Sequence, residues 1–349
     1  MKKFLVPMLL SGLLLSCSDN DFEPANDTES HFHLQVDEHT VPILVRGNTA
    51  SGKILLYVQG GPGYNSLDFA EIDYPEWKET LEKEYAVAYY DQYGMGNRQG
   101  KIDLDRLNTE LMLNEMHEVA GFLKAKYKAE IILLGHSFGG VLTMRYMMRY
   151  EGEETVSKFI NMNGAASTDD DTVRWRLRRD FLVNLASLEI RKGRNADEWK
   201  ACKTWLDENP KLESLEQKWA WNDYVNELIE PLYDFKSPGA GDYVNVIFSS
   251  PYNVPTTLGN SKISDRIQEA LIAEEKEFGL ISRLDEVKGD LLILTGRLDD
   301  ICPPEELEYM FTHLTNARVD SVTLPMAGHD AYLDQKEKYT QAIVNFVGD

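Results

Sequence analysis

A short glycine-rich turn between a predicted strand and a predicted helix constrains this chain more than any other feature of its sequence. The apolar run Ile131–Leu134 predicts a buried strand, the segment Gly135–Gly140 reads G-H-S-F-G-G, and a helical pattern follows to about Tyr150. A tight strand-to-helix turn lifts its central serine, Ser137, above a parallel sheet, and the flanking glycines leave room for the strained backbone. The turn therefore predicts an α/β fold with Ser137 as an exposed nucleophile.

Strand-like and helix-like segments alternate on both sides of that turn. In chain order they are His31–Val36, Val41–Arg46, Lys53–Gln59, Tyr85–Asp91, a helix over about 108–127, Ile131–Leu134, a helix over 137–150, Lys158–Asn163, and then, much later, Leu291–Leu294, a helix over 304–314, Val319–Leu324 and a helix over 335–347. Such alternation implies right-handed crossovers and a mostly parallel central sheet flanked by helices. The first two strands are half-polar, which is typical of an antiparallel edge.

The stretch from residue 167 to residue 287 interrupts this alternation and is helical in character. It predicts a helical cap over the strand ends, where open α/β sheets bind ligands. At its start Arg174 and Arg178 share one helix face, which indicates an amphipathic helix lying on the core or, alternatively, a clamp for a carboxylate. We divide the chain into a leader over 1–16, a polar tether over 17–30, a core in two parts over 31–166 and 288–349, and the cap over 167–287.

The charge of the chain excludes one large class of partners. The sequence has 58 acidic and 36 basic residues, which gives a net charge of −22. Such a surface repels phosphate backbones, so no nucleic acid is expected as a partner. Three cysteines are too few for a disulfide scaffold, and no metal-binding motif occurs, so neither a metal nor another cofactor is predicted.

The first residues have the features of a targeting segment. Lys2 and Lys3 precede the apolar stretch Phe4–Leu15, and the sequence then reads L-L-S-C up to Cys17. This resembles the lipobox of bacterial lipoproteins, in which the cysteine is lipidated; the alternative is a plain secretory peptide. The acidic residues after Cys17 resemble the surface-export signal of Bacteroidetes lipoproteins, or else form a solvated linker. We expect an extracytoplasmic protein anchored in the membrane through Cys17, at the outer membrane or cell surface of a Gram-negative bacterium.

A second glycine-rich loop follows the predicted strand that begins at Lys53. The segment Gln59–Gly63 reads Q-G-G-P-G, and so many glycines let backbone N–H groups approach a ligand closely. In a fold with a serine elbow, one N–H group from such a loop and one from the residue after the serine bind the oxyanion. We therefore predict an oxyanion hole formed by the amides of Gly61 and Phe138.

A base and an acid follow the serine in the expected chain order. The loop after Leu291–Leu294 contains Asp299 and Asp300, and a loop after a later strand contains His329. The order Ser…Asp…His is that of a serine elbow fold, in which the acid orients the imidazole and the imidazole takes the serine proton. Of the seven histidines only His329 lies in a short loop after a late strand. We choose Asp299 as the acid, with Asp300 as the alternative.

Several runs together resemble the α/β-hydrolase superfamily and, more narrowly, the proline iminopeptidase family of serine aminopeptidases. The matching runs are Gln59–Gly63 for H-G-G-P-G, Asp91–Arg98 for D-Q-R-G-x-G-x-S, Gly296–Pro303 for G-R-Y-D-x-x-C-P, and Gly328–His329 for G-H. The resemblance supports Asp299 as the acid. It implies an α/β-hydrolase fold with an inserted helical cap, and a serine hydrolase that releases N-terminal residues, often proline, from short peptides through an acyl-enzyme.

The chain also departs from that family's pattern. Gln59 replaces a histidine, Tyr93 replaces an arginine, and the family's cap motif W-E, whose glutamate receives the substrate amine, is matched only by Trp221-Asn222. The candidate substrate-binding residues in the cap are Trp221, Asp223 and Glu227. Because the acid of the motif is missing, the alternative function is a carboxylesterase acting on small esters or acylated glycans. A third possibility, from a different class, is a surface-tethered binding protein that has lost activity.

Overall fold

The computed structural model describes most of the chain after the leader. The described residues are 23–67, 70, 75–98, 102–166, 172–211, 215–233, 259 and 262–348. The predicted leader over 1–16, Cys17 and the first part of the tether lie outside them. Within the described ranges, no helix is both long enough and apolar enough to cross a membrane.

A twisted sheet of eight strands forms the centre of the described structure. The strands are β1 (Thr28–Val36), β2 (His39–Gly47), β3 (Lys53–Val58), β4 (Ala86–Tyr90), β5 (Glu130–His136), β6 (Lys158–Met162), β7 (Gly289–Gly296) and β8 (Ala317–Leu324). Their order across the sheet is β1-β2-β4-β3-β5-β6-β7-β8. The pairs β1–β2 and β2–β4 are antiparallel, and every other neighbouring pair is parallel.

Helices connect the strands and flank the sheet. The α-helices are α1 (Pro75–Glu79), α2 (Leu81–Glu84), α3 (Thr109–Tyr127), α4 (Phe138–Arg149), α5 (Thr172–Lys192), α6 (Ala196–Glu208), α7 (Leu215–Tyr224), α8 (Ser264–Phe278), α9 (Pro304–His313), α10 (Ala331–Asp334) and α11 (Lys336–Gly348). A π-helical turn, Val225–Ile229, and a 3-10 turn, Glu230–Leu232, continue α7. Further 3-10 turns are Thr49–Ser51, Leu104–Arg106, Leu280–Ser282 and Leu284–Glu286.

The surroundings of strand β3 explain why its sequence is apolar without interruption. Leu55 and Tyr57 face one apolar cluster, which includes Trp77 and residues of α11, whereas Leu56 faces the cluster that holds α3, α4 and α8. Both faces of the strand are therefore covered, and each large apolar side chain buried in this way stabilises the fold by roughly 1.5–3 kcal/mol. The sheet is thus fixed between two apolar layers.

The cap has an apolar core of its own. It is built from residues of α5, α6, α7 and the π-helical turn, such as Trp175, Leu182, Trp199 and Ile229. Leu298, from the loop after β7, is buried in the same cluster. The cap therefore packs directly on the loop that carries the two candidate acids.

Helix α8 falls within the predicted cap range but packs on the sheet side. Ile267 and Leu271 belong to the cluster of α3 and α4, and the buried Glu275 accepts hydrogen bonds from Arg145 at 2.7 Å and from Thr109 at 2.8 Å. By its contacts α8 is part of the helical layer of the core. The limits of the insertion at residues 167 and 287 stay a prediction, and 167–171, 212–214, 234–258 and 260–261 lie outside the described residues.

Candidate active site

Ser137 lies in a strained turn between β5 and α4. Its backbone has φ 54° and ψ −118°, a conformation that costs an L-residue about 1–3 kcal/mol. Close packing enforces this turn: a Cβ added at Gly139 would lie 2.0 Å from the carbonyl oxygen of Val58. The N–H of Ser137 donates to the carbonyl of Met162 at 3.2 Å, which ties the turn to the neighbouring strand. The sequence thus folds into the sharp elbow that the G-H-S-F-G-G pattern predicts.

The glycine-rich loop after β3 lies directly against this elbow. A Cβ added at Gly60 would lie 2.7 Å from the Cβ of Ser137 and 3.4 Å from the amide nitrogen of Phe138. Gly61 follows with φ +113°, a conformation that only glycine adopts at low cost. The Gly60–Gly61 peptide group and the Phe138 amide, at the start of α4, therefore border the same space beside Ser137.

Asp91 holds the residues that follow the glycine-rich loop in place, a role that the sequence reasoning did not assign. Its Oδ1 accepts the N–H groups of Ser66 at 2.7 Å and Leu67 at 3.1 Å, and its Oδ2 accepts the N–H of Asn97 at 2.7 Å. This carboxylate is completely buried and joins the loops after β3 and β4. The sequence signals for it are an acid directly after a buried strand and its place at the start of the run Asp91–Arg98.

Asp299 and His329 are brought together by the loops after β7 and β8. The Nδ1 atom of His329 lies 3.1 Å and 3.0 Å from the two carboxylate oxygens of Asp299, which is fully buried. Oδ1 also accepts the N–H groups of Ile301 at 2.9 Å and Cys302 at 2.8 Å. The structure therefore pairs His329 with Asp299, the first of the two candidate acids.

Asn163, at the end of β6, completes the surroundings of this carboxylate. Its Nδ2 donates to Oδ2 of Asp299 at 2.9 Å and to the carbonyl oxygen of Gly328 at 3.1 Å. One amide thereby fixes both the acid and the loop that carries His329. In the sequence, Asn163 stands out only as a polar residue directly after an apolar strand. Its partners, Asp299 and Gly328, lie far away along the chain.

Charge around His329 favours its protonated form. Burial alone would lower the pKa of His329, but the charge and hydrogen bond of Asp299, together with the charges of Asp330 and Asp300, raise this pKa to about 9. Burial, followed by the charge of Asp299, raises the pKa of Asp300 to about 6. Three carboxyl groups thus surround His329, and an imidazolium formed there is stabilised.

His136 lies beside His329 but remains neutral. Its Nε2 is 3.3 Å from the carbonyl oxygen of His329, and the two ring centroids are 5.0 Å apart. Burial and the charge of His329 lower the pKa of His136 to about 4. This ring supports the backbone of the His329 loop, as expected for a histidine that points into the fold.

The three cap residues predicted to bind substrate occupy different environments. Trp221 is 1% exposed, its ring centroid lies 5.0 Å from that of Trp175, and it is part of the cap core. This packing does not support a substrate platform at Trp221. Asp223 and Glu227 are exposed on the same helical segment, and their role in substrate binding stays a prediction.

Tyr233 is a cap residue near the site that sequence reasoning did not single out. A Cβ added at Gly328 would lie 2.1 Å from its hydroxyl oxygen. Burial and the charges of Asp334, Asp300 and Asp299 raise the pKa of Tyr233, so its hydroxyl stays protonated. The cap therefore reaches the residue that precedes His329.

One group of side chains in the described residues has a spacing that could hold a metal ion. The ligand atoms of Asp299, Cys302 and His329 lie within 4.8 Å of one another. However, the carboxylate and Nδ1 are engaged with each other, and burial and the charge of Asp299 raise the pKa of the Cys302 thiol well above its usual value. A thiol that resists deprotonation is a poor metal ligand, so these residues fit an acid–imidazole pair better than a metal site.

Comparison with known proteins agrees with this architecture. A family profile described as "alpha/beta hydrolase fold" matches residues 53–336. A proline iminopeptidase of Chitinophaga pinensis is 24% identical over 310 residues, covering 86% of this chain and 91% of the relative. A proline iminopeptidase of Lacticaseibacillus rhamnosus is 23% identical over 311 residues, covering 89% of this chain and 95% of the relative.

Solved structures share the same fold at lower sequence identity. A proline iminopeptidase-related protein from Thermus thermophilus superposes with a TM-score of 0.54 at 18% identity, covering 92% of this chain and 98% of that one. An esterase from Exiguobacterium antarcticum gives a TM-score of 0.53 at 18% identity, covering 92% of this chain and all of the other. The predicted fold class and the resemblance to proline iminopeptidases are confirmed. The chain belongs to the alpha/beta hydrolase fold family.

Proposed function

We propose that this protein is a serine hydrolase of the proline iminopeptidase type, which releases an N-terminal residue, often proline, from short peptides. The observation that carries the hydrolase chemistry is the bond between His329 and Asp299, at the same sheet edge as the strained elbow of Ser137. The peptidase specificity is supported by relatives of that name that align with most of the chain.

In this mechanism Ser137 attacks the carbonyl carbon of the scissile bond. The hydrogen bond of Nδ1 to Asp299 leaves Nε2 of His329 as the basic nitrogen, which takes the serine proton and later returns it to the leaving amine. The resulting imidazolium is stabilised by the buried carboxylate. Water then releases the acyl group from Ser137, with His329 again as the base.

The oxyanion of the tetrahedral intermediate would be bound by the amides of Gly61 and Phe138. The Phe138 amide is at the amino end of α4, where negative charge is favoured. The glycine-rich loop lies in contact with the elbow, and Ser66, which follows this loop, donates its N–H to Asp91. Two donors that are oriented before the reaction begins stabilise the developing charge without reorganisation, which is worth several kcal/mol.

The test of substrate class is a comparison of kcat/KM for a prolyl anilide, its N-acetylated form and a p-nitrophenyl ester, with Ser137→Ala as the control. The proposal expects the free-amine anilide to be preferred and its turnover to disappear in the variant. Equal turnover of the N-acetylated anilide would contradict an aminopeptidase.

A carboxylesterase is the second candidate function. It is favoured by the cap, where exposed Asn222 takes the place of the acid expected for amine recognition and the neighbouring Asp223 is also exposed. Preferred turnover of the uncharged ester, lost in Ser137→Ala, would support the esterase. A complete absence of turnover and of fluorophosphonate labelling would support a binding protein instead.

We also propose that the protein is extracytoplasmic and lipid-anchored at Cys17. The support for this location is the sequence of the leader, which lies outside the described residues. A tether over 17–30 would let the hydrolase domain act close to the membrane surface. No nucleic acid is expected as a partner because of the net charge of −22.

A further inference from the structure

Two consecutive peptide groups in the loop after β7 direct their N–H bonds at the same carboxylate. The N–H of Ile301 donates to Oδ1 of Asp299 at 2.9 Å, and the N–H of Cys302 donates to the same oxygen at 2.8 Å. Together with the Asn163 amide on Oδ2, they hold the carboxylate in the orientation that meets His329. The orientation of Asp299 therefore depends on where these two peptide groups lie.

The carbonyl oxygens of the same two peptide groups accept hydrogen bonds from arginines of the cap. Nε of Arg178 donates at 3.2 Å to the carbonyl oxygen of Asp300, whose peptide group carries the Ile301 N–H. Nη2 of Arg174 donates at 3.0 Å to the carbonyl oxygen of Ile301, whose peptide group carries the Cys302 N–H. Each peptide group therefore connects a guanidinium of the cap to the carboxylate of Asp299.

The two arginines are fixed within the interface between cap and core. They are four residues apart on α5 and so lie on one face of the helix. The guanidinium of Arg178 lies 5.0 Å from the ring centroid of Trp221, and Nε of Arg174 lies 3.5 Å from the buried carboxylate of Glu306. Arg174 is buried and Arg178 is half-buried, and both donate directly to the loop beneath them.

A cation on a carbonyl oxygen polarises the peptide group and makes its N–H a stronger donor. We propose that Arg174 and Arg178 are positioning residues through which docking of the cap sets the orientation and charge balance of the Asp299–His329 pair. This inference rests on the proposed function of that pair. It implies that the cap contributes to the chemistry of the site as well as to substrate binding.

The sign of the expected effect follows from the charges around His329. The titratable groups that face it or its loop are Asp299, Asp300, Asp330, Asp334, His136, Cys302 and Tyr233. Carboxylates dominate this set, and the arginines of α5 offset part of their charge. Removing the positive charge of Arg178 should therefore raise the pKa of His329, by about half a unit or more.

The test is a pH titration of His329 by NMR in protein labelled at histidine Cε1, with the signal assigned by its loss in His329→Gln. Arg178→Gln is expected to raise the pKa of His329 and to lower kcat by about threefold or more, with KM nearly unchanged. Arg178→Lys keeps the positive charge, so the pKa of His329 in this variant should equal that of the wild type, even if kcat recovers only in part. Arg174 is not the first choice, because its removal would leave the buried carboxylate of Glu306 without its cation.

Arg179→Gln is the matched control. Arg179 lies on the same helix and also donates through Nε to a backbone carbonyl, that of Leu206, at 3.2 Å, and through Nη2 to Asp207 at 3.0 Å. Its partners lie within the cap, so its loss removes the same kind of interaction without touching the loop of Asp299. Its His329 titration should match that of the wild type.

The outcomes separate this inference from the proposed function. A His329 pKa that is the same in Arg178→Gln and Arg179→Gln would overturn the coupling, even in an active enzyme. A rise in KM with an unchanged pKa would also overturn it, since Arg178 would then act on substrate. A raised pKa in Arg178→Gln supports the coupling whether or not Ser137 reacts with a fluorophosphonate; that reaction tests the hydrolase function separately.

Discussion

The hydroxyl of Tyr233 occupies the space in which a side chain at Gly328 would begin. A Cβ atom added at Gly328 would lie 2.1 Å from that oxygen and 2.6 Å from Cζ of the same ring. The nitrogen of Gly328 donates to Asp334 at 2.9 Å and its carbonyl accepts from Asn163 at 3.1 Å, so this residue is held on both sides. The tip of a cap side chain and the loop of His329 therefore fit together only with glycine at this position.

Gly328→Ala is expected to displace Tyr233 and to lower kcat/KM several-fold, because the new methyl group and the phenol cannot occupy the same space. In a Tyr233→Ala background the same substitution should cost much less, which a double-mutant cycle measures. Gly121→Ala is a suitable control, since a Cβ at Gly121 would meet nothing within 4 Å. Additive effects of the two substitutions would mean that Tyr233 does not restrict the size of the side chain at position 328.

Ser137→Gly and Ser137→Ala should both abolish turnover, but they should differ in stability. Both remove the hydroxyl, whereas only glycine relieves the backbone strain at φ 54°. We expect Ser137→Gly to be about 1 kcal/mol more stable than Ser137→Ala in urea denaturation. Equal stability of the two variants would indicate that the elbow stores no strain at this residue.

The rate should rise with pH through the alkaline range. The base must be neutral, and the pKa of His329 is raised to about 9, so kcat/KM is expected to increase until the pH passes that value. Because the charge of Asp330 helps to raise the pKa of His329, Asp330→Asn should move the rise to lower pH. If kcat/KM depends on pH in the same way in Asp330→Asn as in the wild type, this account is contradicted.

The raised pKa of His329 also makes the stability of the fold depend on pH. A histidine whose pKa is raised on folding contributes stability that is fully present below its unfolded pKa, about 6.5, and is lost as the pH rises through about 9. As the pH is raised from 6.5 to 9, the free energy of unfolding should therefore decrease more in the wild type than in Asp299→Asn. Urea titrations at several pH values measure this difference.

Asn163→Gly should lower kcat by about tenfold with little change in KM, because Asp299 loses a hydrogen bond to its charged oxygen. Glycine is the appropriate substitution, since Asn163 has φ 49° and glycine adopts this conformation without strain. Asn163→Asp should be more damaging, because it places a second negative charge beside Asp299. A loss of activity confined to KM would show that Asn163 contacts substrate instead.

Cys17→Ser should release the protein from membranes. If Cys17 carries acyl chains, the wild type will partition into detergent and incorporate labelled palmitate, and the variant will do neither. Cys202 and Cys302 are buried in the fold, so they serve as internal controls for labelling at other thiols. Labelling that persists in Cys17→Ser would contradict the lipobox interpretation.

The sequence predicted the α/β framework well because its signals are local. The uninterrupted apolar runs of β3 and β5 and the helical pattern after Ser137 depend only on neighbours along the chain. Helix α3, for example, begins where predicted because Asn108 accepts the N–H of Leu111 at 2.7 Å and caps the first turn. The candidate Ser137, Asp299 and His329 could be chosen because strand-to-loop junctions mark the active edge of such a sheet.

The supporting contacts of the site were decided by the tertiary structure alone. Asn163 meets Asp299 across 136 positions, and Arg178 reaches the carbonyl of Asp300 across 122. Polar residues of these types usually lie on solvated surfaces, so nothing local distinguishes a buried partner from an exposed one. The sequence alone determined the fold class and the candidate reacting groups, because periodicity and turn chemistry are local properties. Which side chains orient those groups was decided only when folding brought distant segments to one edge of the sheet.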